Sequence, residues 1–177
     1  EKTKFRLRNI SLIFQSFNLL KDFNVLENVM LPLIYKGLSK KDSKEYAISA
    51  LDSVDLSNFK LSSVNTLSGG EAQRVGIARA LATNAKIILA DEPTGNVDDH
   101  MAYRLMHLFE ELNRLGTTVV IATHNSALVN KVGHPCFSLN EGILAVVEKN
   151  KQKNSESRES EGAIKNINES IIEPFPS

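Results

Sequence analysis

Four side chains and one glycine pair carry the chemistry this sequence can do: Gln15, the adjacent acids Asp91 and Glu92, His124, and the loop Ser68-Gly69-Gly70. Gln15 follows the apolar run Ile10-Ser11-Leu12-Ile13-Phe14, the acidic pair closes Ile87-Ile88-Leu89-Ala90, and His124 ends the run from Thr117 to Thr123. An amide, two carboxylates and an imidazole suit metal-assisted phosphoryl transfer. One carboxylate can hold Mg²⁺ through water, the next can orient or deprotonate an attacking water, and the imidazole can contact the terminal phosphate. The glycine pair precedes a helical stretch. Glycines let backbone approach a phosphate closely, and a helix start offers unpaired N–H groups with partial positive charge. Taken alone, Ser-Gly-Gly before a helix reads first as a flexible turn with a serine cap, and only its company makes it a phosphate loop.

These groups need elements to bring them together. The three apolar runs are short and lack polar alternation, as buried strands of a parallel sheet covered on both faces do. With helical patterns between them, they place the fold in the α/β class, and ligands of such sheets bind beyond the carboxyl ends of the strands. Residues 71–82 form one helix, with Ala72, Val75, Ala78 and Leu81 towards the core and Ser68 capping its start. Met101, Leu105, Leu108, Leu112 and Leu115 mark a crossover helix that Gly116 terminates. Leu26, Val29, Met30 and Leu33, then Ala47, Ala50, Leu51 and Val54, give residues 17–66 a helical texture. There Pro32 should kink or shorten the first helix, and Ser39 with Asp42 resembles a capping box for the second. Phe137-Ser138-Leu139 and Ile143 to Val147 flank Asn140-Glu141-Gly142 as a β-hairpin.

The bulk numbers bound the class. The 177 residues suffice for one compact domain, and 42% hydrophobic with 24% charged residues is an ordinary soluble composition. Lys plus Arg and Asp plus Glu balance at 21 each, so no overall field draws in nucleic acid or an anionic membrane. Cys136 is the single cysteine, which excludes an internal disulfide and fits a reducing, cytosolic setting. No apolar stretch approaches the ~20 residues that cross a bilayer. Lys2, Lys4, Arg6 and Arg8 read as a solvated face ahead of lipid contact. Residues 149–161 lack aromatic and branched apolar side chains, so 149–177 is expected to be a disordered tail, in which Ile164, Ile167 and Ile171 alone keep helical spacing.

Leu67-Ser68-Gly69-Gly70-Glu71 with Gln73-Arg74, Ile87 to Pro93 through Asp91-Glu92, and Thr123-His124 together resemble the ABC ATPase family, over roughly residues 1–147. The resemblance implies a P-loop NTPase-like sheet with an inserted α-helical subdomain at about 17–66, inside an ATPase domain spanning 1–148. It implies ATP and Mg²⁺ as ligands. Gln15 matches the Q-loop glutamine that senses Mg²⁺, Leu67 to Glu71 the signature loop, Asp91 the Walker B aspartate that serves the metal, Glu92 the general base, Asn96-Val97-Asp98 the D-loop, and His124 the switch histidine. In that family two domains pack head to tail, each ATP gripped by the P-loop of one and capped by the signature loop of the other. The stretches Asp91 to Asp98 and Leu108 to His124 look most like the bacterial cell-division branch, the FtsE type, with lipoprotein-releasing and macrolide-exporter ATPases as near relatives. The implied partner is an integral-membrane permease of the FtsX or a related type, at the cytoplasmic face of the inner membrane. Phe17, Phe23 and Tyr35 fall where the family receives the permease's coupling helix, and packing within the subdomain is the other reading.

One departure is plain. No Gly-x-x-x-x-Gly-Lys-Ser/Thr occurs in these residues, so the phosphate cradle and its lysine are missing, and truncation upstream of Gln15 is the expected cause. Asn125 stands after the histidine where the family commonly has aspartate. A nucleic-acid-binding ABC ATPase would carry a long coiled coil between Gln15 and Ser68. Only residues 16–66 intervene, without sustained heptads, which rejects that class. The remaining alternative is a binding module that donates its signature loop to a P-loop-bearing partner.

Overall fold

In the computed structural model, which describes residues 1–147, the three apolar runs are strands of one parallel sheet. They are β1 (Ile10–Ile13), β2 (Ile87–Asp91) and β3 (Thr118–Ala122), in the spatial order β1-β2-β3. The register pairs Ile13 with Ala90 and Asp91 with Ala122, so the carboxyl ends of all three strands finish at one edge. Two compact units are resolved, residues 1–123 and 124–147. The tail expected at 149–177, with Ile164, Ile167 and Ile171, lies outside the described residues.

Helix α1 (Lys2–Asn9) precedes β1 and buries none of its side chains. Helices α2 (Val25–Tyr35) and α3 (Lys40–Asp52) follow, then two 3₁₀ turns (Ser57–Phe59 and Val64–Thr66), then α4 (Gly69–Ala82). Helix α5 (Asp99–Arg114) connects β2 to β3. Strand alternation sorts the sheet: Ile13, Ile88 and Ala90 are buried, while Leu12, Leu89 and Val120 share one register row on the opposite face. Helices α2 to α5 all send apolar side chains, among them Val29, Leu51, Ile77 and Leu105, into the cluster that holds Ile13 and Ile88. The expected cover on both faces is therefore met on one. The row Leu12, Leu89 and Val120 stays 39–54% exposed among the described residues, because every helix that enters the core does so from the other side.

Local chemistry explains the helix ends. Asn24 and Glu27 close a capping box on α2, Asn24 Oδ1 accepting the Glu27 N–H at 2.8 Å and Glu27 Oε2 accepting the Asn24 N–H at 2.9 Å. Pro32 neither stops nor shortens that helix at its own position; α2 runs one turn further, and the Pro32 carbonyl accepts the Lys36 N–H at 3.0 Å. Ser39 caps α3 through the Asp42 N–H, but the shorter Asp42 side chain accepts from the Ser39 hydroxyl instead of the Ser39 amide. Gly116, at φ 99°, ends α5: its N–H reaches Asn113 O and the Thr117 N–H reaches Leu112 O, both at 3.0 Å. In the second unit, α6 (Ser126–Val132) is capped by Asn125 and ends at Gly133. The antiparallel strands β4 (Cys136–Asn140) and β5 (Ile143–Val147) form the hairpin expected from the sequence, turning through Glu141 and Gly142, both at positive φ, while Asn140 belongs to β4 and not to the turn. No helix among the described residues is long and apolar enough to cross a membrane.

Lys36 is half-buried and ties α2 to its neighbours, its Nζ donating to the Thr83 carbonyl at 2.5 Å and the Arg8 carbonyl at 3.4 Å. Burial pushes its amine down from 10.5 to about 8. The unfolded chain therefore binds more protons than the folded one between those values, and stability rises as pH increases through that window. Urea denaturation of the parent and Lys36→Met between pH 7.5 and 10.5 should show that slope in the parent and a flatter one in the variant.

Candidate functional site

The acidic pair sits where the sheet ends. Asp91 is the last residue of β2 and is exposed. Glu92 leaves the strand in the left-handed region at φ 44°, a conformation that costs a non-glycine residue about 1–3 kcal/mol and persists only where surroundings hold it. Two bonds from the end of β3 hold it. The Glu92 N–H donates to the Ala122 carbonyl at 2.9 Å, and the Thr123 hydroxyl donates to Glu92 Oε2 at 2.9 Å. The carboxylate is thus fixed on the rim of the sheet, beside exposed Asp91.

Gln15 lies on the same rim. It stands two positions beyond Ile13, whose register partner Ala90 directly precedes Asp91, and it is exposed. The structure therefore brings Gln15, Asp91 and Glu92 to one edge within the first unit. His124 opens the second unit and is exposed there, with its carbonyl accepting the Ser126 N–H at 3.0 Å ahead of α6.

The glycine loop begins α4. Ser68 is the cap: its Oγ accepts the Glu71 N–H at 3.3 Å, while Glu71 Oε2 accepts both the Ser68 N–H and the Ser68 hydroxyl at 2.7 Å. The Ser68 hydroxyl, then its N–H, hold the Glu71 carboxyl below its usual range. Leu67 anchors the approach by packing against the core. Gly69 and Gly70 have different reasons to be glycine. A Cβ on Gly70 would meet the Asn96 carbonyl at 3.0 Å, whereas one on Gly69 would find only Asn96 Cβ, at 4.0 Å. The loop is thus seated on Asn96 and Val97, which precede α5. Asp98 caps α5, its carboxylate accepting the Met101 N–H at 2.9 Å, and that bond holds its pKa down. Buried Gln73 extends the contact, with Oε1 3.5 Å from Asn96 Nδ2 and Nε2 lacking an acceptor among the described residues.

The family described as ABC transporter matches residues 1–95, more than half of the sequence. The chain belongs to the ABC transporter family. It is 46% identical over 140 residues to the cell division ATP-binding protein FtsE of Haemophilus influenzae, covering 79% of this chain and 64% of that one. It is 43% identical over 149 residues to the lipoprotein-releasing system ATP-binding protein LolD of Pseudoalteromonas translucida, covering 84% and 64%. Among solved structures it matches a dimeric, post-hydrolysis ATP-binding cassette bound to ADP and Pi, with TM-score 0.74 and 41% identity over 79% of this chain and 62% of that one. The chain spans just under two thirds of the length of these ABC relatives.

Within this ABC framework the oxygen donors fit a hard divalent cation. The Asp91 carboxylate and the Gln15 amide are both exposed on one rim, and Mg²⁺ takes one or two protein oxygens beside its waters and phosphates. Sequence reasoning did not single out Thr123 as the holder of the Glu92 carboxylate, although a hydroxyl directly after an apolar strand was a usable signal. Nor did it foresee the contact between Gln73 and Asn96, which links the signature stretch to the segment before α5 by packing alone.

The two glycines separate fold from ligand chemistry. Gly69→Ala should leave the thermal midpoint within about 1 °C of the parent. Gly70→Ala, which must push the Asn96 carbonyl aside, should cost about 1–2 kcal/mol. Thermal unfolding of both variants checks this, and equal losses would contradict the seating of Gly70 on Asn96.

Proposed function

We propose that this chain is the greater part of an ATP-binding and ATP-hydrolysing subunit of an inner-membrane ABC complex. The observation that carries the reading is the left-handed Glu92, whose carboxylate is fixed by Thr123 beside Asp91 on the sheet rim. Strained backbone held by designed contacts concentrates at sites of chemistry. Glu92 accepts a proton from the attacking water, and its fixed orientation raises the share of productive encounters. Gln15 and Asp91 would hold Mg²⁺, which when bound neutralises charge building on the phosphate oxygens. His124 contacts the terminal phosphate. Ser68, Gly69 and Gly70, flanked by Leu67 and Glu71, cap an ATP gripped by the P-loop of a second, head-to-tail domain, and Asp98 sets the start of α5 behind that contact.

A dimer is supported by the dimeric cassette that this chain resembles. Identity to FtsE favours a cell-division role, with a permease of the FtsX type at the cytoplasmic face and cell-wall hydrolysis as the output. The near-equal identity to LolD supports a lipoprotein-releasing subunit as the second reading. We take residues 1–148 as the ATPase portion, with 17–66 as its helical subdomain.

The P-loop is not among these 177 residues. The chain alone should therefore show no measurable turnover, since losing phosphate donors costs ~10²–10³ each. Extended upstream by a P-loop segment, it should hydrolyse ATP, and Glu92→Gln should then slow the reaction by ~10²–10⁴. Steady-state phosphate release decides the matter: near-parental turnover by Glu92→Gln refutes the role of Glu92, and clear turnover by the unextended chain refutes the need for an outside P-loop.

A further inference from the structure

The stretch from Phe14 to Asn24 carries Gln15 yet forms no helix or strand, and a buried asparagine of α2 and a half-buried arginine of α4 hold it at two places. At the far end Asn28, only 1% exposed, accepts the Leu20 N–H at 2.8 Å and donates to the Leu20, Phe23 and Asn24 carbonyls. At the near end Arg79 of α4 donates from Nη2 to the Phe17 carbonyl at 2.7 Å and from Nη1 to the Asn18 carbonyl at 2.6 Å. Phe17 and Asn18 are consecutive and both left-handed, at φ 58° and 47°. Asparagine tolerates that region, but a bulky aromatic rarely enters it. Gly76, one turn earlier on α4, also faces the turn, with the Phe17 carbonyl 3.8 Å from where a Cβ would stand, ordinary contact distance.

Arg79 has no carboxylate partner among the described residues. Its charge is directed at these two carbonyls, and charge-assisted bonds are stronger than neutral ones. Burial lowers its pKa, but a guanidinium stays charged at neutral pH. The planar fork holds both carbonyls in one fixed geometry, where a lysine ammonium would offer a single point of attachment on a flexible stem.

We infer that Arg79 is a positioning residue for Gln15: it fastens the left-handed Phe17-Asn18 turn to α4 and so sets how Gln15 leaves β1. The same helix begins with Ser68-Gly69-Gly70, so a shift of α4 carries the Gln15 turn and the glycine loop together. The functional side of this inference rests on the proposed ATPase reading, while the clamp itself does not.

Two measurements separate them. In the 177-residue chain without nucleotide, Arg79→Met should speed amide hydrogen exchange at residues 17 and 18 about tenfold while exchange in α3 stays parental, and Arg79→Lys should fall between. Parental exchange at 17 and 18, or equal acceleration throughout residues 1–123, overturns the clamp. In the chain extended by a P-loop segment, Arg79→Met and Gln15→Ala should each raise the Mg²⁺ concentration for half-maximal hydrolysis about tenfold, with the double variant no worse than either single one. Shifts that multiply in the double variant show that Arg79 acts independently of Gln15, and overturn the positioning role. Parental Mg²⁺ dependence of Gln15→Ala, alongside the local exchange effect, refutes the Mg²⁺ role of Gln15 and leaves the clamp supported.

Discussion

The hydrogen bond from the Glu92 amide to the Ala122 carbonyl is the constraint on which the candidate site rests. It adds one bond beyond the last register pair of β2 and β3, and it fixes the chain at the moment it turns out of the sheet. Without it a glutamate has no reason to adopt a left-handed backbone, and the Thr123 hydroxyl would have no carboxylate to meet. The parallel register supplies the bond, and the apolar cluster around Ile13 and Ile88 supplies the register. The position of one carboxylate is thus traceable to the burial of aliphatic side chains on one face of three short strands.

Helix α4 is the second organising part. Its alanines and aliphatics, Val75, Ile77, Ala78 and Leu81, belong to the core, while its first turn seats the glycine loop on Asn96. Its polar residues face three ways: Arg74 donates to the Val54 carbonyl at 3.1 Å, Gln73 faces Asn96, and Arg79 grips the turn after Gln15. Arg104 of α5 in turn grips Asp55 at the end of the α3 segment through both carboxylate oxygens. The helical stretch and the sheet are therefore joined by one apolar cluster and by polar bonds that each cross many residues of sequence.

Much of this was legible from residue pattern, and the remainder follows a rule. The three strands, the serine cap of α4, the glycine stop of α5 and the hairpin all carry local signals within a few residues, and each was read correctly to within about two residues. The rim position of Gln15, Asp91 and Glu92 followed from the strand ends. Pro32 did not stop the first helix where it stands, and α2 continues to Tyr35 with packing outweighing the one amide bond that proline cannot make. The open sheet face was missed because a run of apolar residues does not say which neighbours arrive to cover it. Thr123, Asn28 and Arg79 act on backbone groups or side chains brought near by tertiary packing, and no periodicity marks such partners. That the glycine loop and His124 suit a phosphate came from residue type and placement; that the loop caps an ATP held by a second domain came from family resemblance.

The reciprocal bonds between Ser68 and Glu71 complete the start of α4 from within the chain. A turn whose amide and hydroxyl are already bonded within the chain keeps its shape without outside contacts. Any ligand that meets the glycine turn therefore meets it already ordered.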